Sequence, residues 1–219
     1  GPVAVNGVLA HDVDPAWGPQ GFLLSLLTDT GSRLSSETFG GANPTTNTRP
    51  HALTVDPTEA GSHAIVVGAA TGPIRFGETP SLASPVPPSG DTSTADAFVS
   101  RFTLRALGSG HVRAYYRNGD AGHEEAADAA LAGDAIAIVG SVLSSAASEA
   151  RVGRVAVAPH AASVATLHWV TTTDAAAFGE SAVSSWGITG ASKWHAVAAA
   201  GGSLAVAAGS FSTTSAYVG

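Results

Sequence analysis

The chain has no cysteine and no methionine among its 219 residues. Without cysteine it can build neither a disulfide framework nor a thiolate metal site. Without methionine, the initiator included, it reads as a processed, excised or subcloned segment. Positive charge is scarce too: ten Lys and Arg stand against seventeen Asp and Glu, a net charge of −7 at pH 7. Lys193 is the single lysine, and the basic residues are scattered, so the electrostatic footprint of a nucleic-acid binder is missing. No apolar run approaches the roughly 18–20 residues of a membrane-spanning helix. No basic stretch followed by an apolar one opens the sequence as a secretion signal would. Catalytic signatures are equally scarce. There is no G-x-S-x-G elbow and no Ser-x-x-Lys pair, and the glycine-rich pieces at 108–110 and 199–203 lack a P-loop lysine.

What the chain does have is small residues and turns. Hydrophobic residues make up 44% of it and charged ones only 12%, with 26 Gly and 12 Pro, which favours short strands over long helices. One short pattern recurs. HAIVVGAA (63–70), DAIAIVGS (134–141) and SLAVAAGS (203–210) each carry a small-residue strand into a glycine, and Gly68, Gly140 and Gly209 lie 72 and 69 residues apart. Each is preceded by a second strand: HALTVD (51–56), AADAAL (126–131) and HAVAAA (195–200). An aromatic residue followed by glycine comes before that: ETFGG (37–41), AYYRNG (114–119) and SSWGITG (184–190). Further upstream stand GFLLSLLTDTG (21–31), DAFVSRFTL (96–104) and SVATLHWVT (163–171), and the linkers GPVAVNG (1–7), GPIRFG (72–77) and GRVAVA (153–158) correspond as well. Each unit therefore holds about four strands and a minor fifth segment. Small and branched residues on both sides of the 135–139 run suit a strand buried on two faces. Gly140 reads as the turn at which the chain leaves the inner sheet.

DAFVSRF, followed by VRAYYRNGDAGHEEAADAALAGDAIAIVGS, resembles the β-propeller repeats of many bacterial secreted and surface proteins. RPHALTVDPTEAGSHAIVVGAATGPIRFG (49–77) fits the latter part of that repeat, whereas SVATLHWVT departs from its Asp-Ala-Phe-Val signature. The resemblance implies an all-β, propeller-type domain over 1–219, with three repeats of about 70 residues each forming a four-stranded blade. The units fall at about 51–117, 118–187 and 188–219 combined with 1–50, so that the first and last strands can share a blade. Natural propellers have four to eight blades. Three therefore call for a second copy or for the remainder of a longer ring.

Candidate sites lie where the copies differ. Asp120, His123, Glu124, Glu125 and Asp128 form the richest polar cluster, and Asp120, His123, Glu124 and Asp128 are the candidate metal ligands. Carboxylates with imidazole suit Ca²⁺ or a transition metal, Ca²⁺ being the cofactor to consider, but the spacing matches no EF-hand and a solvated loop joining two strands is the plainer reading. Otherwise no cofactor is expected. Asp12 and Asp14, beside Trp17, are candidate ligand-binding residues, with Trp17 able to stack on a sugar or simply to plug a blade edge. Trp169, Trp186 and Trp194 are accounted for by packing. His51, His123 and His195 stand at equal 72-residue intervals, but repeat alignment places Ala126 opposite His51 and His195. The expectation is a non-catalytic, secreted or cell-surface module that binds and assembles, with itself or another protein through strand edges. A lectin-like propeller binding glycans and a propeller hydrolase or lyase are the alternatives.

Overall fold

The structure, a computed structural model, describes residues 3–5, 8–11, 20–26, 29–31, 33–41, 45, 47–56, 63–72, 74–76, 95–103, 112–117, 123–133, 135–143, 150–152, 155–157, 164–174, 177–186, 191–200 and 204–212. Its regular elements are all strands: β1 (Val3–Val5), β2 (Val8–His11), β3 (Gln20–Leu26), β4 (Arg33–Gly41), β5 (Asn47–Asp56), β6 (His63–Thr71), β7 (Ile74–Phe76), β8 (Asp96–Thr103) and β9 (Val112–Arg117). They continue as β10 (His123–Ala132), β11 (Ala135–Leu143), β12 (Ala150–Val152), β13 (Val155–Val157), β14 (Val164–Asp174), β15 (Ala177–Trp186), β16 (Ala191–Ala200) and β17 (Leu204–Ser212). Among the described residues there is no helix that is long and apolar enough to cross a membrane. The chain is all-β, and its sheets are antiparallel.

Two sheets have four strands in the same serial order, β5-β6-β8-β9 and β10-β11-β14-β15. Where a third blade is expected, the long strands form two separate pairs instead. β16 pairs with β17, and β3 pairs with β4, which also takes β7 on its other side. Among the described residues no sheet closes into a barrel or ring. The minor segments are strands as well: β7 follows β6, the hairpin β12-β13 follows β11, and the hairpin β1-β2 precedes β3.

One irregularity recurs in every first-and-second strand pair, and it explains the glycine. Gly68 is paired with Pro50, Gly140 with Ala126 and Gly209 with Trp194, and in each case the next pair skips one residue. The skipped residues are His51, Ala127 and His195, three equivalent β-bulges. Each bulge swings the carbonyl of the residue before the pair over the glycine. A Cβ on Gly68 would lie 2.1 Å from the Arg49 oxygen, on Gly140 1.8 Å from the Glu125 oxygen, and on Gly209 2.3 Å from the Lys193 oxygen. No side chain fits, so the sequence repeats glycine at that point. Gly140 thus sits in the middle of β11 and is no turn; the turn comes at Gly133, just after Ala132, with a φ of 61°. The bulge also shifts the histidine alignment by one: the residue equivalent to His51 and His195 is Ala127, not Ala126.

The sheets stack in the order β3-β4-β7, β5-β6-β8-β9, β10-β11-β14-β15, β16-β17. Three apolar layers hold the stack. Phe39, Ile74 and Leu23 meet Val66, Phe98 and Phe102 in the first. In the second, Ile65, Val67 and Val99 pack on Ala129, Ile136 and Ile138. Ala137 and Val139 face Val197, with Trp169 and Trp194 packed alongside, in the third. Alternate residues of β11 therefore serve two different layers, which is why Ile136 to Val139 are all buried. That two-sided burial was the expectation for the 135–139 run.

Candidate functional site

The bulge column determines where the charged side chains gather. The positions just before the glycine-paired residue are Arg49, Glu125 and Lys193, one on each of the neighbouring first strands β5, β10 and β16. Glu125 is the hub. Lys193 Nζ donates to Glu125 Oε2, and His51 Nδ1 lies 3.4 Å from Glu125 Oε1. His51 Nδ1 also donates to the Ala126 carbonyl at 2.8 Å, which assigns the proton of the neutral ring to that nitrogen. One carboxylate thus ties together three sheets of the stack. Asp128, just past the bulge, adds a second tie, accepting from Val197 N at 2.8 Å and from Ala129 N at 2.9 Å. Ala165 N donates to Ser192 Oγ at 3.0 Å, a third link between β14 and β16.

A cleft of roughly 270 Å³ opens beside this hub, lined on its polar side by Asn47, Arg49, His51, Thr71, His123 and Glu125. Ala95, which also lines it, is tied to β10: Glu124 N donates to the Ala95 carbonyl at 2.7 Å, and Ala95 N donates to the His123 ring at Nδ1, 3.3 Å away. Burial by itself raises the Glu125 pKa, but the Lys193 hydrogen bond and charge, with the charges of His51 and His123, outweigh it. The carboxyl is held below its ordinary value. A general acid needs the opposite shift. Chemically the group is an ionised anchor held by the Lys193 ammonium, with the His51 ring on its other oxygen.

The sign of the pH effect follows. A carboxylate with a depressed folded-state pKa contributes its full stability above the ordinary glutamate value and loses it as pH falls through the depressed one. Urea midpoints are expected to drop across that acid window, and Glu125→Gln to flatten this part of the drop while costing about 1 kcal/mol at neutral pH. An acid limb identical in the two proteins would show that the carboxylate carries no such role.

Of the candidate metal ligands, His123, Glu124 and Asp128 all lie on β10, so the 123–128 stretch, whose plainer reading from the sequence is a solvated loop, is strand. They do not converge. Strand alternation exposes His123 beside the cleft and buries Glu124, which is 1% exposed, while Asp128 is engaged with backbone amides. Among the described residues no group of three or more His, Asp or Glu is gathered as a metal would require. Asp120, and Asp12, Asp14 and Trp17, lie outside the described residues. Trp169 and Trp194 pack in the third apolar layer, and Trp186 is the last residue of β15. His195, on its own bulge, bonds Ser210 Oγ at 2.7 Å, while His51 bonds the Ala126 carbonyl. Sequence reasoning missed Arg49 and Lys193. Reading the column before the glycine-paired residue across the three copies would have found both. No protein-family model, curated protein or solved structure matches the chain.

Proposed function

We propose that the chain is a non-catalytic binding and assembly scaffold of propeller-type repeats, secreted or displayed on a cell surface. The observation that carries this reading is how the polar groups are used: Glu125 and Asp128 are spent on tying sheets together, and Glu125 is held ionised. The two sheets of identical strand order, stacked with their first strands adjacent, support the propeller-type architecture. The resemblance of DAFVSRF and the strands after it to bacterial secreted and surface repeats supports the location. A rigid stack of this kind works by presenting its cleft, loops and end faces to partners.

Glu125→Gln tests the non-catalytic part, because Glu125 is the best-placed carboxylate in the cleft. Chromogenic glycosides, acidic polysaccharides and esters are incubated with wild type and variant, and thermal midpoints are recorded beside turnover. A scaffold loses a few degrees and has no turnover to lose. Wild-type turnover, abolished in a variant that is still folded at the assay temperature, would overturn the reading.

A further inference from the structure

The two ends of the sheet stack leave apolar side chains in solvent, and the repeat identifies their intended cover. Leu53 on β5 is 53% exposed, whereas its equivalents Ala129 and Val197 are 6% and 8% exposed. Val206 on β17 is 62% exposed, whereas its equivalents Ile65 and Ala137 are fully buried. These positions meet twice inside the chain: Ile65 shares a layer with Ala129, and Ala137 shares the next with Val197. The third meeting, Val206 with Leu53, is absent. Strand edges show the same gap. β6 pairs with β8, and β11 with β14, but among the described residues β17 pairs only with β16 and β3 only with β4. Packing completes the picture: β10 lies across β5, β6 and β8, and β16 lies across β10, β11 and β14. In the layer before it, β5 lies across β3 and β4, and among the described residues no counterpart of β16-β17 packs beneath it.

We propose that a second copy of this chain fills both gaps: the β17 edge of one copy pairs with the β3 edge of the other, and the Val206 face of the first packs on the Leu53 face of the second. A foreign partner would have to imitate two different surfaces at once, whereas this chain already carries both, matched by its own repeat. Within one copy the two end pairs are separated in the stack by two complete sheets, and among the described residues β17 pairs with neither β3 nor β5. Three sheets would also fall short of the four to eight blades that such rings contain. The contact is head to tail, so it must close or propagate. Two copies give six four-stranded sheets, two complete ones from each copy and two shared, which lies inside that range. This assembly rests on the propeller-type reading above. Its register is set by the repeat. Gly68 faces Phe98 and Gly140 faces Thr166. β3 aligns with β8 through Phe22 and Phe98, so Gly209 of one copy faces Phe22 of the other, and Ala208 stands beside Leu23.

Light scattering on the eluting wild-type protein is expected to give twice the mass of the chain. Val206→Glu and Leu53→Glu should each halve it while keeping the wild-type circular dichroism, because both side chains are exposed in the single copy. The absence of cysteine permits a register test in the same protein. Ala208→Cys with Leu23→Cys should form a disulfide-linked pair of chains under mild oxidation, whereas Ala207→Cys with Leu23→Cys, whose thiols point to opposite faces, should not. A wild type that stays at single-chain mass at every concentration, or a Val206→Glu protein of undiminished mass, overturns the proposal; cross-linking of the offset pair overturns the register. A single-chain mass leaves the scaffold reading intact, and wild-type turnover sinks that reading without touching the mass, so the two failures are distinguishable.

Discussion

Gly140→Ala is expected to cost about 3 kcal/mol or more of folding stability, an unusual loss for one methyl group. The added Cβ would lie 1.8 Å from the Glu125 carbonyl oxygen and 2.9 Å from its carbon. Both atoms belong to backbone, so no rotamer change relieves the clash. Relief would require β10 and β11 to separate at the bulge, and the bulge is what aims Glu125 at Lys193 and His51. Stability and the polar hub should therefore fail together, seen as a lowered urea midpoint and loss of the Glu125-dependent acid limb. Gly31→Ala is the control. Gly31 has a positive φ of 65° but open space around its Cβ position, so only backbone strain of about 1 kcal/mol is expected. Equal losses in the two variants would mean that backbone conformation, and not the close approach across the bulge, explains the repeated glycine.

Phe98→Ala is the second large effect, at about 3–5 kcal/mol by urea unfolding. Phe98 is fully buried in the first apolar layer, edge-on to Phe39 at 6.2 Å between ring centroids, with Phe102 tilted against Phe39 at 5.6 Å. Its ring also borders Gly68, where an added Cβ would lie 2.9 Å from Cε1. Truncation thus leaves a cavity between β3-β4 and β6-β8 that neighbouring strands, pinned by the bulge, cannot collapse to fill. The double variant Gly68→Ala with Phe98→Ala should fall short of the sum of its parts, because removing the ring relieves one of the clashes at Gly68. The clash with the Arg49 oxygen remains, so relief is partial. A cost below about 1 kcal/mol for Phe98→Ala would indicate that the β3-β4 pair does not pack on β6-β8 as described.

The sequence made the strand content legible because small and branched residues alternate and the glycine returns at even spacing. It could not show why glycine returns. A turn and a bulge both demand glycine, and only the pairing of Gly140 with Ala126, one residue short of Asp128, separates them. The same extra residue displaced the histidine alignment by one position. His123 to Asp128 reads most plainly as a loop because its charged residues hide the alternation, although Glu124 is buried. The Glu125 hub was half legible: Glu125 belonged to a recognised polar cluster, while Lys193 is 68 residues away and only the repeat column links them. Least legible was the third blade. β16-β17 and β3-β4 have the local patterns of one sheet, and no local pattern encodes whether the two pairs meet in one chain or between two.

Amide hydrogen exchange along β17 therefore bears most directly on the central claim, that the chain is a scaffold whose stack is completed by a second copy. In concentrated wild-type protein the amides of Leu204–Ser212 that point away from β16 are expected to exchange as slowly as those of β6 and β11, which are paired on both edges, and to become fast in Leu53→Glu, a substitution on the opposite end of the stack. Fast exchange of those outward β17 amides in the wild type at every concentration, with β6 and β11 protected, would contradict it.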